Sequence, residues 1–304
     1  METTGAGEDM DGFGNSGNGT TLTAEIRRVL ARVDAHAARA TGKTNPAGAT
    51  LAPIEGPATA PLDALVACFS LTAFERDLVL LAAAHELEPT TAARCAAAAG
   101  DPERAYPTFS LALAALADPH WSALTPVAPL RRWRIVELED ESRLTTSRLR
   151  LDERILHLLL SSPYLDARLH GQLRRTPVPD ALTPSYDLAA STLAEGWTQA
   201  SLVELTGGEP RSRADIAAAA AARSGLGLYA MTAADIPSDP VERDRLARLW
   251  QREAILLPAA LLVDAGDLDR DQRAATESFL AGASWTVCTA WETSAAGGGG
   301  GAPG

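Results

Sequence analysis

Between Leu202 and Ala290, short apolar runs alternate with longer helical patterns, and this alternation constrains the fold more than any other feature of the chain. The runs 202–205, 226–231, 259–264 and 284–290 are separated by helix-length segments at 214–223, 239–254 and 270–281. Strands joined through helices return to one sheet in parallel by right-handed crossovers, so the region predicts a parallel α/β sheet. The first connection, Thr206-Gly207-Gly208-Glu209-Pro210-Arg211, is a turn-rich loop that leads into an alanine-rich helix closing at Ser224-Gly225. Strand, glycine loop and helix form the skeleton of a phosphate-binding loop, in which backbone N–H groups at a helix start cradle anionic oxygens.

The chemical positions of such a loop are altered. On the pattern G-x-x-x-x-G-K-[ST] with Gly207 first, Ser212 falls at the second glycine, Arg213 at the lysine and Ala214 at the Mg²⁺-binding hydroxyl. Lys43, in Thr41-Gly42-Lys43-Thr44, is the only lysine in the chain, and Ala37 stands where a first glycine would be needed there. The third strand, Pro258 to Ala265, resembles a Walker B segment ending in a Mg²⁺-binding acid, Asp264. Ala265 replaces the glutamate that would activate water. The residues left to hold ATP or Mg²⁺ are Gly207, Gly208, Arg211, Ser212, Arg213 and Asp264, and they predict weak nucleotide binding at most, with no hydrolysis. Arg213 has a second reading, an ion pair with Asp264 or Asp267 that fills an empty site.

Residues 1–20 are rich in Gly, Thr, Asn and acids and are expected to be disordered. Over 21–41, Leu22, Ile26, Leu30 and Val33 share one face of an amphipathic helix, which packs on its own protein or offers a seam to a partner or second copy. Residues 42–61, with Pro46, Pro53, Pro57 and Pro61, read as a linker. A first domain over 62–175 begins with the capping box Thr72-x-x-Glu75 ahead of a helix at 73–87, with further helices at 90–99 and 108–117. The strands 133–138 and 148–151 form a hairpin, and Asp152 caps a last helix, giving a winged-helix-like module. Residues 176–187 are a second linker, 188–292 the α/β module, and 293–304 a flexible Gly-rich tail.

The fold class is therefore mixed: a mainly α winged-helix-like domain, then a partial α/β module with a parallel sheet. A net charge of −12 and a sequence pI near 4.9 repel nucleic acid and anionic membrane from the molecule as a whole. Basic residues do gather around the hairpin, at Arg131, Arg132, Arg134, Arg143, Arg148, Arg150 and Arg154. They are interleaved with Glu137, Glu139, Asp140, Glu141, Asp152 and Glu153, a pattern that favours contact with protein over DNA. Cys68, Cys95 and Cys288 show no metal or disulfide spacing, and the five histidines show no ligand spacing. No secretory or membrane-spanning run is present in the sequence, so a reducing cytoplasm is expected.

Four stretches carry a family likeness: Leu71 to Leu78, Pro129-Leu130-Arg131-Arg132-Trp133-Arg134, Leu149 to Leu156, and Leu246-Ala247-Arg248-Leu249-Trp250-Gln251-Arg252-Glu253. Over residues 62–292 the chain resembles actinobacterial AAA+ ATPases that carry a winged-helix-like region, a degenerate AAA module and then an intact one. Some of these are similar to ATPases encoded with extracellular contractile injection systems. The resemblance implies a sheet order of 226–231, 259–264, 284–290, 202–205, with 202–205 at an open edge. It also implies a non-catalytic role in partner docking and assembly, with protein partners or a homo-oligomeric ring formed through a C-terminal module. The competing reading is a winged-helix DNA-binding regulator with an α/β appendage.

Overall fold

Residues 16–42, 60–266, 268–283 and 285–291 are described by the computed structural model. The chain divides between Pro163 and Tyr164 into two units, earlier than the boundary expected near 175. The reason is apolar: Leu165, Leu169 and Leu173 belong to the core of the second unit.

The first unit begins with α1 (Ser16–Ala40), so residues 16–20, expected to be disordered, are helical, while 1–15 lie outside the described residues. Leu22, Ile26, Val29, Leu30 and Val33 are buried, and α1 packs against the helices α3 (Ala73–Leu87), α4 (Thr91–Ala99) and α5 (Phe109–Ala115). The face that could have served as a partner seam is thus covered by its own unit. Its polar margin is tied down as well. Arg28 and Arg32 both pair with the buried Asp77 of α3, and Glu25 accepts from Arg28 at 2.9 Å and Arg76 at 3.2 Å.

The expected linker 42–61 lies largely outside the described residues, but Ala60 and Pro61 open α2 (Ala60–Phe69), where proline is tolerated in a first turn. The capping box of α3 forms as expected: Thr72 accepts from the Glu75 N–H, and the Glu75 carboxylate accepts from the Thr72 N–H. Gly100, with φ of 63°, ends α4 in the left-handed conformation that favours glycine. After α6 (Pro129–Arg132), β1 (Val136–Leu138) and β2 (Leu149–Leu151) pair antiparallel with Glu137 opposite Arg150. Asp152 then caps α7 (Glu153–Leu159) by accepting from the Arg154 N–H. Helices followed by a hairpin give the winged-helix arrangement.

The second unit holds β3 (Arg174–Thr176), α8 (Pro184–Trp197), β4 (Leu202–Thr206), α9 (Pro210–Arg223), β5 (Gly227–Thr232), α10 (Pro240–Leu256), β6 (Ala259–Ala265), α11 (Arg270–Ala281) and β7 (Val287–Trp291). The sheet order is β3-β5-β6-β7-β4, with the last four strands parallel. This is the expected order, and β4 is at the edge. Beyond the four expected strands there is a fifth, β3, an antiparallel edge strand beside β5. The expected linker 176–187 is shorter than its pattern implies, because Thr176 ends β3 and Pro184 begins α8. Residues 292–304 lie outside the described residues. Alanines of α9 pack with α8 on one face of the sheet, and α10 and α11 bury Trp250 and Phe279 on the other. β6, buried along nearly its whole length, is the continuous apolar run that a two-sided parallel strand requires.

Candidate functional site at the first strand-to-helix turn

The helix after β4 starts at Pro210, four residues before the expected Ala214. Proline pre-sets the backbone angle of a first helical residue and lacks only an N–H that would be unpaired there. Arg211, Ser212 and Arg213 are therefore helical, and the loop shrinks to Gly207, Gly208 and Glu209. Both glycines have positive φ, 77° and 69°, which lets the chain reverse in so few residues.

Four of the six expected residues come together. Arg213 is only 3% exposed. Its Nη1 donates to the Gly208 carbonyl at 2.8 Å and reaches the Gly207 carbonyl at 3.5 Å, while Nη2 meets Asp264 Oδ1 at 3.4 Å. Its Nε is buried without a hydrogen-bond partner. Asp264 is positioned by β6, beside Thr232 of β5 and Ala290 of β7. Arg211 is exposed and Ser212 half-buried on the first turn of α9. Ala265, at the expected position of a water-activating acid, is fully buried.

This arrangement differs chemically from a phosphate cradle. A phosphate loop aims N–H donors at its ligand, whereas here two glycine carbonyls aim at a guanidinium. The cation sits at a helix start, where the helix dipole disfavours positive charge, and the carbonyls and Asp264 offset that cost. Of the two ion pairs considered for Arg213, the one with Asp264 is present; Asp267 lies outside the described residues.

A second cluster was not anticipated. Asp166 caps the 3-10 turn Ala167–Leu169 and holds both Arg168, at 2.6 Å, and the fully buried Arg252 of α10. Burial pushes the Asp166 carboxyl up. Hydrogen bonds from the Arg168 side chain and backbone, with the charges of Arg252 and Arg168, outweigh this and hold it below its ordinary value. The adjacent charges Arg252-Glu253 on an otherwise core-facing helix stripe were the available sequence clue. Nearby, Arg168, Gln172, Glu242 and Leu246 line a cleft of about 260 Å³, below the roughly 300–1,000 Å³ of ordinary ligand pockets.

In the winged unit, the basic residues around the hairpin are mostly engaged within it. Arg134 meets Glu137 at 2.6 Å, Arg143 faces Asp140 at 3.6 Å, and Arg131 donates to the Leu124 carbonyl at 3.0 Å. Arg154 is buried, Arg148 half-buried and Arg150 exposed. Among the described residues, no group of three or more His, Cys, Asp or Glu is disposed to hold a metal ion. Burial pushes the thiols of Cys95 and Cys288 up to about 11 and about 12, leaving them protonated and unreactive at neutral pH. No described helix is long and apolar enough to cross a membrane.

Residues 6–172 match the family model described as a winged helix domain, variant. No curated protein matches the chain, and no solved structure does.

Proposed function

The chain belongs to the winged helix domain variant family, and from that premise we propose that it is a non-catalytic scaffold that docks protein partners. The observation that carries this reading is the Arg213 guanidinium, buried against the Gly207 and Gly208 carbonyls and Asp264. Hydrolysis of ATP requires charges placed around the γ-phosphate: a lysine, a Mg²⁺-binding hydroxyl and acid, and a residue that positions water. Only Asp264 remains of that set, and it is turned toward an arginine. Nucleotide binding by Gly207, Gly208, Arg211, Ser212, Arg213 and Asp264 would have to displace this pairing, so it is weak at most. The strand order supports the resemblance to AAA+ ATPases, and on that likeness the chain serves the assembly of a ring-forming ATPase without turning over nucleotide itself.

The partner-docking part of the reading rests on the hairpin, where Arg134 and Arg143 are neutralised by carboxylates of their own chain. The exposed Arg150 and Arg132 favour a second reading, a DNA reader with a basic wing. Two measurements decide. Phosphate release by the purified chain with Mg²⁺-ATP should stay at background, alongside an Asp264→Ala control; turnover lost in that control would overturn the non-catalytic assignment. Retention on duplex DNA at about 150 mM salt, abolished by Arg148→Ala with Arg150→Ala, would establish the second reading instead, because phosphate contacts weaken steeply with salt.

A further inference from the structure

The surface between α5 and the hairpin combines exposed apolar anchors with a basic rim. Trp121 is 60% exposed and Val127 77% exposed, although both lie in an ordered run of turns. The 3-10 turn Trp121–Leu124 continues through Thr125 N–H to Ser122 O at 3.2 Å and Ala128 N–H to Thr125 O at 3.0 Å. Pro119, Pro126 and Pro129 restrict the backbone further. The base of the segment is fixed to α3: the His120 ring meets the Phe74 ring edge-on at 5.2 Å, and His120 Nε2 lies 3.0 Å from Thr72 Oγ1. Two large apolar side chains are thus displayed on a frame that has already lost its freedom, which lowers the ordering cost of binding.

The rim is set by α6. Arg131 ties that helix to the 3-10 turn through the Leu124 carbonyl, and the Arg132 guanidinium lies 5.0 Å over the Trp133 ring. Between α5 and β1 the chain carries three arginines, Arg131, Arg132 and Arg134, against one carboxylate, Asp118, in a chain of net charge −12. The turn that begins at the exposed Trp121 is thus bonded to Arg131, and tryptophan and arginine are the residues enriched in binding hot spots.

We infer that this surface docks an acidic segment of a partner protein, with Trp121 and Val127 receiving its apolar side chains and Arg131 and Arg132 its carboxylates. The inference rests on the partner-docking reading above and names its site and ligand chemistry. Protein is favoured over nucleic acid because the most exposed side chains are apolar, and both arginines are already oriented by a carbonyl and a ring.

The test uses the full chain and three fluorescent probes in anisotropy titrations. These are a peptide of about 12 residues interleaving Glu and Asp with Leu and Phe, its counterpart with Lys in place of the acids, and a duplex DNA of about 20 base pairs. The acidic peptide should bind saturably, about tenfold or more weakly to Trp121→Ser, and several-fold more weakly to Arg132→Ala, with thermal midpoints unchanged. The inference is overturned by no saturable binding below about 1 mM, by equal binding of the lysine peptide, or by an unaffected Trp121→Ser. Acidic-peptide binding that survives Trp121→Ser but fails in Arg150→Ala would reject this site and leave partner docking standing. Tight DNA binding without peptide binding would reject both.

Discussion

The helices that follow β4 and β6 start at the carboxyl ends of two parallel strands that flank β7 in one sheet, yet they are anchored differently. At α11, Asp269 accepts from the Gln272 N–H at 2.8 Å and Gln272 accepts from the Asp269 N–H at 3.2 Å, a reciprocal box within four residues of sequence. Asp239 does similar work at α10, accepting from Val241 and Glu242 N–H groups at 3.0 Å. At α9 the cap residue Glu209 makes no side-chain capping bond. That turn is closed instead by Arg213 reaching Asp264, a residue 51 positions along the chain. A local cap stabilises a helix start whatever surrounds it, whereas a clamp of this kind exists only once the sheet has formed.

The largest expected effect lies at the other buried arginine of the same unit. Arg252→Ala leaves Asp166, 3% exposed, with one cation fewer in the interior, and breaking a buried pair costs about 3–5 kcal/mol. Denaturant unfolding measures it, and a loss under about 1 kcal/mol would mean that Arg168 alone satisfies the carboxylate. Arg213→Ala should cost less, about 1–3 kcal/mol, because the Asp264 side chain is 38% exposed and can rehydrate. The double variant with Asp264→Ala should lose less than the sum of the two singles. Strict additivity would show that the clamp carries no coupling energy.

Capping gives a smaller and more direct comparison. Asp269→Ala should cost about 1 kcal/mol, while Glu209→Ser, which installs the cap that α9 lacks, should add about 0.5–1 kcal/mol. If Glu209→Ser adds nothing, the clamp already fixes the turn as firmly as a cap would.

Acid titration compares the two units. Burial, then the charge of Arg148, holds His85 below its ordinary value of 6.5, with Glu86 opposing. A histidine with a depressed folded value contributes stability that is complete above its unfolded value and is lost as pH falls below it. The Asp166 contribution is complete above the ordinary aspartate value of 3.8 and is lost as pH falls from there through its lower folded value. The first unit should therefore weaken at a higher pH than the second, and His85→Gln should remove the earlier phase. An unchanged pH profile in that variant would assign the phase to another group.

What could be read from the residues follows the same division between local and tertiary causes. The capping box at Thr72 and Glu75, the Asp152 cap and the Gly100 stop all act within a few residues, and the helices they bound are where the pattern placed them. The parallel strands declared themselves as apolar runs, and the edge position of β4 followed from the family likeness. β3 was illegible because Arg174-Arg175-Thr176 has no apolar face to alternate; its antiparallel pairing with Leu228, Tyr229 and Ala230 of β5 makes it a strand. The early start of α9 is written in Pro210, a first-turn proline that lies inside the span 207–214 of the phosphate-loop pattern. The Asp166 cluster joins a carboxylate to an arginine 86 positions away, a distance no periodicity spans.

The open side of β4 has a consequence for exchange with solvent. Val287 donates to the Ser201 carbonyl, so in this parallel ladder Ser201, Val203 and Leu205 turn their backbone groups toward β7. Leu202, Glu204 and Thr206 turn theirs outward, where no strand lies among the described residues. Deuterium should therefore enter β4 at every second amide, with Val203 and Leu205 retained as long as the sheet persists. The strand would carry a two-residue rhythm of fast and slow sites, and any chain that later pairs along this edge would erase it.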